Sequence, residues 1–348
     1  MIPPLVSYQN LESFQQSLRY HYDSGKSPIA AAKAEAVVNQ ARILFGKGLP
    51  PVPNPTALAL ILGVSPKLIS SMALKPTRYW KVFHLPKRTG GVRVITAPRV
   101  FLKSVQYYIL QNILGRCEVS AESFGFSRGK SIFRNAAVHV GKKWIWNTDL
   151  EDFFPTITHQ KVREVFGSLG FTKNMSTVLA SLCTHGGRLP QGAPTSPMLS
   201  NVIFKPTDAE LVAIASRFGL TYSRYADDLT FSSNEQPTID FISEIDRVIS
   251  AAGFRRSMAK TRLHGPNGPK YVTGLVVNEK VHPDRRTRRL LRAKFHRLQT
   301  VKPAERSDLD KLHGWAAYVN AYDTNLGAKY LAQVRQEFAA GSGTPKET

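Results

Sequence analysis

Two adjacent carboxylates, Asp227 and Asp228, lie between two segments whose residues alternate as those of β-strands do. Residues 222–226 alternate before the acids, and an aromatic and β-branched pattern resumes in residues 229–231. The pattern predicts a β-hairpin with the carboxylate pair at its tip. Because burying unpaired carboxylates costs several kcal/mol each, the pair should be solvated, ion-paired or bound to a hard cation such as Mg²⁺.

A third acid completes the set that a metal site would use. Residues 144–146 form a short apolar segment of strand character, and Asp149 comes where that strand ends. The alternative is that the Asp-Asp pair forms an exposed turn, which is the ordinary role of adjacent aspartates.

The composition favours a folded protein with a polyanionic partner. The chain has 348 residues, of which 42% are hydrophobic, enough for two or three packed subdomains. Lysines and arginines number 47 against 25 acids, which gives a formal charge of +22 and a pI near 10.1. This excess predicts binding to nucleic acid, with a membrane surface as the competing partner.

The sequence shows neither a membrane span nor a secretory leader. No run of about eighteen apolar residues occurs, and residues 1–7 lack the basic start and apolar core of a signal peptide. Cys117 and Cys183 are far apart and have no CxxC partner, so no disulfide framework or zinc site is indicated. We therefore expect a cytoplasmic enzyme with no membrane partner.

Residues 1–75 are predicted to form a helical extension. Ser27 and Pro28 suit the start of an alanine-rich helix. Residues 56–70 predict two short helices joined by Leu-Gly-Val-Ser, as in helix-turn-helix DNA-binding proteins. Sequence-specific duplex binding is therefore an alternative function, although the polar side chains of the second helix are a poor set for reading base edges.

Two basic segments follow different patterns. Residues 79–98 predict two strands joined at Gly90 and Gly91, a cationic hairpin that could close over a triphosphate or be merely solvated. Residues 282–298 predict a helix that starts near Asp284, with an apolar stripe of Leu290, Leu291, Phe295 and Leu298. The arginines of this helix are uncompensated by acids, which predicts a surface that tracks phosphates rather than a merely solvated face. Its candidate phosphate ligands are Arg285, Arg288, Arg289 and Arg292.

Five motifs occur in one order along the chain. They are Asn-Ala-x-x-His at 135–139, a strand ending in Asp149 before Phe-Phe, Gln-Gly-x-x-x-Ser-Pro at 191–197, Tyr-Ala-Asp-Asp at 225–228 and Val-Thr-Gly at 272–274. In this order they resemble bacterial retron reverse transcriptases from about Trp80 to Asn278. The resemblance implies an α+β fold of the right-hand polymerase type, with fingers, a palm built on an antiparallel sheet with flanking helices, and a helical thumb. It implies fingers and palm at 76–278 and an RNA-binding thumb at 279–340, between the extension 1–75 and a flexible tail, 341–348.

The resemblance also implies a catalytic centre with two Mg²⁺ ions, for which Mn²⁺ can substitute. Asp149 and Asp227 would bridge both ions, the Leu150 backbone carbonyl would join them, and Asp228 would be the more peripheral ligand. Lys260 matches a palm lysine near the leaving pyrophosphate, where it could act as a general acid. A plain surface lysine is the alternative.

Contacts to the incoming dNTP are implied in the same way. Lys87 and Arg93 match the triphosphate-contacting pair, although Arg88 could replace Lys87 because sequence does not fix the hairpin register. Gln191 would line the nucleotide, and Gly192 would let the backbone approach it.

A bulky side chain at Phe154 matches the family's steric gate, which selects deoxynucleotides by clashing with a 2′-OH. The alternative is that Phe153 and Phe154 are both core residues, and for Phe153 the core is the preferred interpretation.

Two of the motifs are implied to bind the enzyme's own RNA. These are Asn135 and His139, and the segment Val272, Thr273 and Gly274. On spacing alone, the favoured interpretation of His139 is an ordinary helix histidine.

Together these expectations describe an RNA-directed DNA polymerase. The resemblance implies that it copies a dedicated structured noncoding RNA, using dNTPs and an internal guanosine 2′-OH as primer, into branched RNA-linked single-stranded DNA. It further implies an effector protein and a role in defence against phage. The alternatives are a group II intron-like or other bacterial reverse transcriptase, and a non-catalytic RNA-binding scaffold.

Overall fold

The computed structural model describes residues 11–22, 28–86, 90–300 and 306–341. Within them it contains fourteen α-helices. They are α1 (Leu11–Tyr22), α2 (Pro28–Gly46), α3 (Pro55–Leu62), α4 (Pro66–Leu74), α5 (Val100–Asn112), α6 (Ile132–Ala137), α7 (Phe153–Thr156), α8 (His159–Ser168), α9 (Lys173–Cys183), α10 (Ser196–Arg217), α11 (Ile239–Ala251), α12 (Arg285–Thr300), α13 (Arg306–Asn320) and α14 (Thr324–Gly341).

The described strands form three antiparallel groups. Strands β1 and β2 make a hairpin, the next four make a sheet in the order β4-β5-β3-β6, and the last three make a small sheet in the order β7-β8-β9. Their bounds are β1 (Trp80–Pro86), β2 (Val92–Pro98), β3 (Trp144–Leu150), β4 (Thr221–Tyr225), β5 (Asp228–Ser233), β6 (Arg256–His264), β7 (Tyr271–Val272), β8 (Leu275–Val276) and β9 (His282–Pro283). The predicted α+β class is confirmed by this mixture of helices and antiparallel sheets.

The chain divides into two compact units, each built from three segments. The first unit is Met1–Ser127, Leu150–Leu211 and Ile245–Arg256; the second is Arg128–Asp149, Val212–Glu244 and Ser257–Thr348. The predicted boundaries at 75, 278 and 340 stay predictions. Residues 342–348 of the predicted tail lie outside the described residues.

Helix starts in the first unit follow local capping rules. Asn54 Oδ1 accepts a hydrogen bond from Ala57 N at 2.9 Å, and Ser65 Oγ accepts one from Leu68 N at 3.2 Å, each just before a proline that opens a helix. These caps produce the two short helices α3 and α4, as predicted. Within the described residues, no single helix is long and apolar enough to cross a membrane, and α3 and α4, which reach that apolarity only as a pair, are bent by 119°.

An aromatic cluster forms part of the core of the first unit. The Phe153 ring lies 5.7 Å from that of Phe204 and 5.6 Å from that of Phe254, measured between centroids, and only 3% of Phe153 is exposed. The preferred interpretation of Phe153 as a core residue is therefore confirmed.

Aromatic side chains pack together on one face of the four-stranded sheet of the second unit. The Trp146 ring in β3 packs against Phe231 in β5 at 5.3 Å and against Phe241 at 5.8 Å. All three side chains are fully or almost fully buried, which fixes β3 and β5 as neighbours with their registered ends together.

A separate core joins the last three helices of the second unit. Leu291, Phe295 and Leu298 of α12 are buried, and the Phe295 ring stacks on Tyr330 at 3.8 Å with an interplanar angle of 9°. The predicted apolar stripe is correct for these three residues and wrong for Leu290, which is 55% exposed. The start of the helix is as predicted, because Asp284 Oδ1 accepts a hydrogen bond from Thr287 N.

Candidate active site

Three acids meet at one end of the four-stranded sheet. Strands β3 and β5 pair so that Asp149 stands opposite Asp228, and β4 and β5 pair so that Tyr225 stands opposite Asp228. A two-residue turn, Ala226 and Asp227, joins that last pair. The predicted hairpin with acids at its tip is therefore present, and the third acid is its direct cross-strand neighbour.

The turn has an unusual backbone. Ala226 has φ +59°, in the left-handed region that favours glycine. Beneath it, the fully buried Arg224 donates from Nη1 to the Ala226 carbonyl at 2.9 Å. We infer that this guanidinium braces the turn. Sequence reasoning missed its role, although a charged residue on the same face of the strand as Tyr222 was a visible signal.

Negative charge is in excess in the acid cluster, where Lys260 lies beside three aspartates. Burial, together with repulsion from Asp149 and Asp227, raises the pKa of Asp228 to about 7, while Lys260 acts in the opposite direction. Lys260 Nζ lies 2.9 Å from Asp149 Oδ1 in an ion pair. Lys260 on β6 therefore lies beside Asp149, and its role near the leaving pyrophosphate stays a prediction.

This donor set fits divalent cations in its chemistry. Carboxylate oxygens are the ligands that Mg²⁺ prefers, and a cation would relieve the repulsion that raises the pKa of Asp228. Asp149, Asp227 and Asp228 are the residues that would hold it. Their side chains are not closed around a single point, since no group of three acid, histidine or cysteine side chains among the described residues is arranged to hold one ion.

A buried polar network lies under the same hairpin. His139 Nδ1 lies 2.7 Å from Ser232 Oγ on β5, and His139 Nε2 lies 2.7 Å from Ser223 Oγ on β4. Ser223 Oγ in turn donates to Asn135 Oδ1 at 2.7 Å. Because the Ser223 proton goes to Asn135, the network assigns the imidazole proton to Nε2 and makes Nδ1 the acceptor from Ser232.

The burial of this network bears on its predicted role. Asn135 and His139 have no exposed surface, so direct contact with nucleic acid is not open to them in this structure. Burial, helped by the nearby charge of Lys142, lowers the pKa of His139 to about 3. The side chains join strands β4 and β5, which flank the acid pair, a function that the motif alone did not indicate.

The Val-Thr-Gly segment forms the turn between β7 and β8. Thr273 has φ +46° and Gly274 has φ +78°, the combination that a two-residue type I′ hairpin requires. Thr273 Oγ1 donates to the Ile132 carbonyl at 3.2 Å, and Val272 is buried. Only Gly274 is freely exposed, so RNA contact at this turn would use its backbone rather than the Val272 side chain.

The predicted nucleotide-binding residues belong to the first unit. Arg93 is exposed on β2, whereas Lys87 lies outside the described residues, as does Arg88. The Gln191 carbonyl accepts a hydrogen bond from Thr96 N at 2.9 Å. This bond attaches the Gln-Gly turn to strand β2.

The structure gives a reason for glycine at position 192 that differs from the predicted approach of the backbone to the nucleotide. Its φ is +124°, and a Cβ there would lie 2.8 Å from Ile95 Cγ2 and 3.1 Å from the Thr96 carbonyl oxygen. Close approach of strand β2 therefore requires glycine here, independently of any substrate.

Phe154 and Leu150 flank the Asp149 strand end in sequence. Phe154 is partly exposed in α7, with its ring 6.3 Å from Phe126 and 5.5 Å from Phe153. It is therefore more accessible than the buried Phe153, as a gate requires. The Leu150 side chain is 2% exposed, so only its backbone is available as a ligand.

The arginines of α12 divide into two groups. Arg285, Arg289 and Arg292 are exposed, and Arg288 is half-buried. None of the four forms an ion pair with a described acid. Their charge is therefore not neutralised by a described acid, and their contact with phosphates stays a prediction.

Comparisons with known proteins agree with this geometry. The chain is 34% identical over 339 residues to the retron Mx162 reverse transcriptase of Myxococcus xanthus, covering 86% of this chain and 70% of that protein. It is also 34% identical over 294 residues to the retron Ec86 reverse transcriptase of Escherichia coli, covering 82% and 90%. A third relative, the retron Mx65 reverse transcriptase of Myxococcus xanthus, is 34% identical over 299 residues, covering 78% and 70%.

The same assignment comes from the family model described as "Reverse transcriptase (RNA-dependent DNA polymerase)", which matches residues 85–277. That match spans more than half of the chain and includes all three acids. The chain therefore belongs to the retron reverse transcriptases and is an RNA-directed DNA polymerase.

Proposed function

We propose that this polymerase copies a structured noncoding RNA into single-stranded DNA that stays joined to the RNA through a 2′–5′ branch. Membership of the retron family supports the RNA partner and the branched product. The observation that carries the catalytic part is the pairing of Asp149 with Asp228 across β3 and β5, with Asp227 at the adjacent tip. The same membership supports a role in defence against phage beside an effector protein.

The reaction joins a primer hydroxyl to an incoming dNTP. The hydroxyl oxygen forms a bond to the α-phosphorus and loses its proton, and the bond from that phosphorus to pyrophosphate breaks. The first hydroxyl is an RNA 2′-OH, and each later one is the 3′-OH of the growing DNA.

Each group of residues has a role in this step. Asp149 and Asp227 would hold two Mg²⁺ ions, with Asp228 more peripheral. When bound, such ions lower the pKa of the attacking hydroxyl and offset charge on the leaving group. Lys260, which lies 2.9 Å from Asp149, would give a proton to the leaving pyrophosphate.

Substrate selection belongs to the residues of the first unit. Arg93 would contact the triphosphate together with Lys87, and Gln191 would line the nucleotide. Phe154 would exclude a 2′-OH by its bulk.

Primer extension on a generic RNA template tests the catalytic proposal. The double variant Asp227→Asn with Asp228→Asn should lose at least a thousandfold in rate, since the acids hold the charge that the reaction needs. The exposed Asp240 at the start of α11 gives the matched control, because Asp240→Asn makes the same chemical change outside the hairpin that carries the acids. A double variant as fast as the wild type would leave only an RNA-binding scaffold.

Sequencing of nucleic acid that copurifies with the protein tests the retron product. We expect DNA joined to one RNA species through a bond that a debranching enzyme cleaves. Active protein that carries only linear cDNA would contradict the branch and support another bacterial reverse transcriptase.

A further inference from the structure

A cavity of about 220 Å³ opens in the second unit, away from the three acids in sequence. It is lined by the segment before and within β9 and by one face each of α12 and α14. We call it the thumb cavity; its polar lining includes Lys280, Arg288, Arg292, Tyr322 and Asp323. Nothing in the proposed polymerase chemistry uses it.

The charge that lines the thumb cavity is mainly positive, and one buried donor among these groups has no partner among the described residues. Arg288 and Arg292 lie one helical turn apart on α12, so their guanidinium groups share a face. Arg288 Nε is buried and has no hydrogen-bond partner among the described residues. Asp323 is the acid of the lining, and its Oδ1 already accepts a hydrogen bond from Leu326 N at 3.0 Å, at the start of α14. The arginines of the thumb cavity can therefore donate hydrogen bonds to an anion.

The same cavity has aromatic walls. Tyr330 is stacked on Phe295 at 3.8 Å and is thereby fixed in place. The Tyr322 ring lies 6.2 Å from Phe133, with an interplanar angle of 23°, which supports it from behind. A rigid ring beside paired guanidinium groups is the combination that holds an unpaired base and its phosphate.

We propose that the thumb cavity binds one unpaired nucleotide of the RNA, with its phosphate on Arg288 and Arg292 and its base against Tyr322. This inference rests on the proposed function, because it takes the template RNA as the source of the nucleotide. A cavity of this size admits a single extruded nucleotide and not a paired stem. It would therefore recognise a bulge or junction and give the basic helix a fixed register on the RNA.

Two RNA hairpins of equal stem sequence test the proposal, one fully paired and one with a single bulged nucleotide made in turn with each of the four bases. Binding is followed by fluorescence anisotropy. We expect the wild type to bind at least one bulged hairpin about tenfold more tightly than the paired one. Arg288→Gln should remove that preference, because it should weaken the bulged hairpin about tenfold more than the paired one.

The neighbouring Arg289 gives the matched control. It is exposed on the same helix and does not line the cavity, so Arg289→Gln should weaken both hairpins equally and keep the preference. Tyr322→Leu should remove the preference and Tyr322→Phe should keep it, because the ring rather than the hydroxyl holds the base. Thermal unfolding of each variant identifies any that fail to fold, and the Tyr322 pair then decides the outcome.

Several results would overturn the inference. A wild type without any bulge preference, or an equal loss for both hairpins in Arg288→Gln, would reduce the cavity to part of a general phosphate surface. A mixture of AMP, GMP, CMP and UMP that binds through Arg288, with no bulge preference, would assign the cavity to a free nucleotide. Primer extension by the same preparations separates this failure from that of the proposed function, since an active polymerase without bulge preference refutes only the cavity.

Discussion

His139 is held neutral by its surroundings. Its two ring nitrogens contact the hydroxyls of Ser223 and Ser232. These hydroxyls are uncharged, so they cannot neutralise the positive charge of a protonated imidazole. Burial, with a smaller contribution from Lys142, lowers its pKa from the ordinary value of 6.5 to about 3. Protonation of His139 would therefore disrupt its contacts with strands β4 and β5, the strands of the hairpin that carries Asp227 and Asp228.

The stability of the fold should depend on pH through this histidine. In the unfolded chain His139 takes up a proton near its ordinary pKa, whereas in the folded chain it stays neutral down to about pH 3. Its contribution is therefore complete above the unfolded pKa and is lost as pH falls below it, by about 1.4 kcal/mol per unit. Chemical denaturation of wild type and His139→Gln at several pH values measures this.

The difference in unfolding free energy between wild type and His139→Gln removes the contribution of all other titrating groups. At pH 7.5 His139→Gln should be less stable by about 1–3 kcal/mol, because a buried hydroxyl loses its partner. This difference should shrink as pH falls from 6 to 4. A difference that stays constant over that range would show that His139 is not the titrating group.

Sugar selectivity should depend on the size of residue 154. Phe154→Val should raise the ratio of kcat/KM for ribonucleotides to that for deoxynucleotides at least tenfold, because the partly exposed ring would no longer oppose a 2′-OH. Single-nucleotide incorporation kinetics give the ratio. Phe153→Leu in the adjacent core is the control, and unchanged selectivity in Phe154→Val would move the gate elsewhere.

At the scale of elements, strand β2 and the Gln-Gly turn form one assembly within the first unit. The Thr96 amide bonds to the Gln191 carbonyl, and Gly192 leaves room for Ile95. A loop implied to contact the nucleotide is thus attached to the hairpin implied to contact the triphosphate. The position of Arg93 on β2 depends on this attachment.

Gly192→Ala should destabilise the first unit by about 1–3 kcal/mol and raise KM for dNTPs. The added Cβ would meet Ile95 Cγ2 at 2.8 Å, in addition to the cost of φ +124°. Gly187→Ala is the matched control, since Gly187 has φ +74° but a methyl group added there would meet no described atom within 4 Å. Denaturation and dNTP titration of both variants test this, and equal effects would remove the role of the contact.

Local patterns in the sequence were sufficient for several elements. Alternation around Asp227 and Asp228 predicts β4 and β5, and Asp284 predicts the start of α12. The partners of His139 could not be predicted, because Ser223 and Ser232 lie 84 and 93 residues away and their choice depends on tertiary packing. The prediction that Leu290 is buried was wrong for a related reason, since helical spacing alone does not determine how wide the buried stripe is.

At the scale of the whole molecule, the net charge of +22 favours association with a polyanionic template. We expect three arginines on one face of α12 to contribute to this attraction. Replacing Arg285, Arg288 and Arg292 with Ala should lower the slope of log Kd against log salt by about 2–3, as three phosphate contacts are lost. Filter binding at low and at high salt gives the slope, and an unaltered value would exclude these residues from phosphate contact.

Ala226 has a consequence for how ready the polymerase is before substrate arrives. The β-carbon of alanine makes φ +59° a costly conformation, so the turn keeps it because Arg224 and the paired strands β4 and β5 hold it there. The two aspartates on its C-terminal side are therefore positioned by contacts that exist before any nucleotide enters.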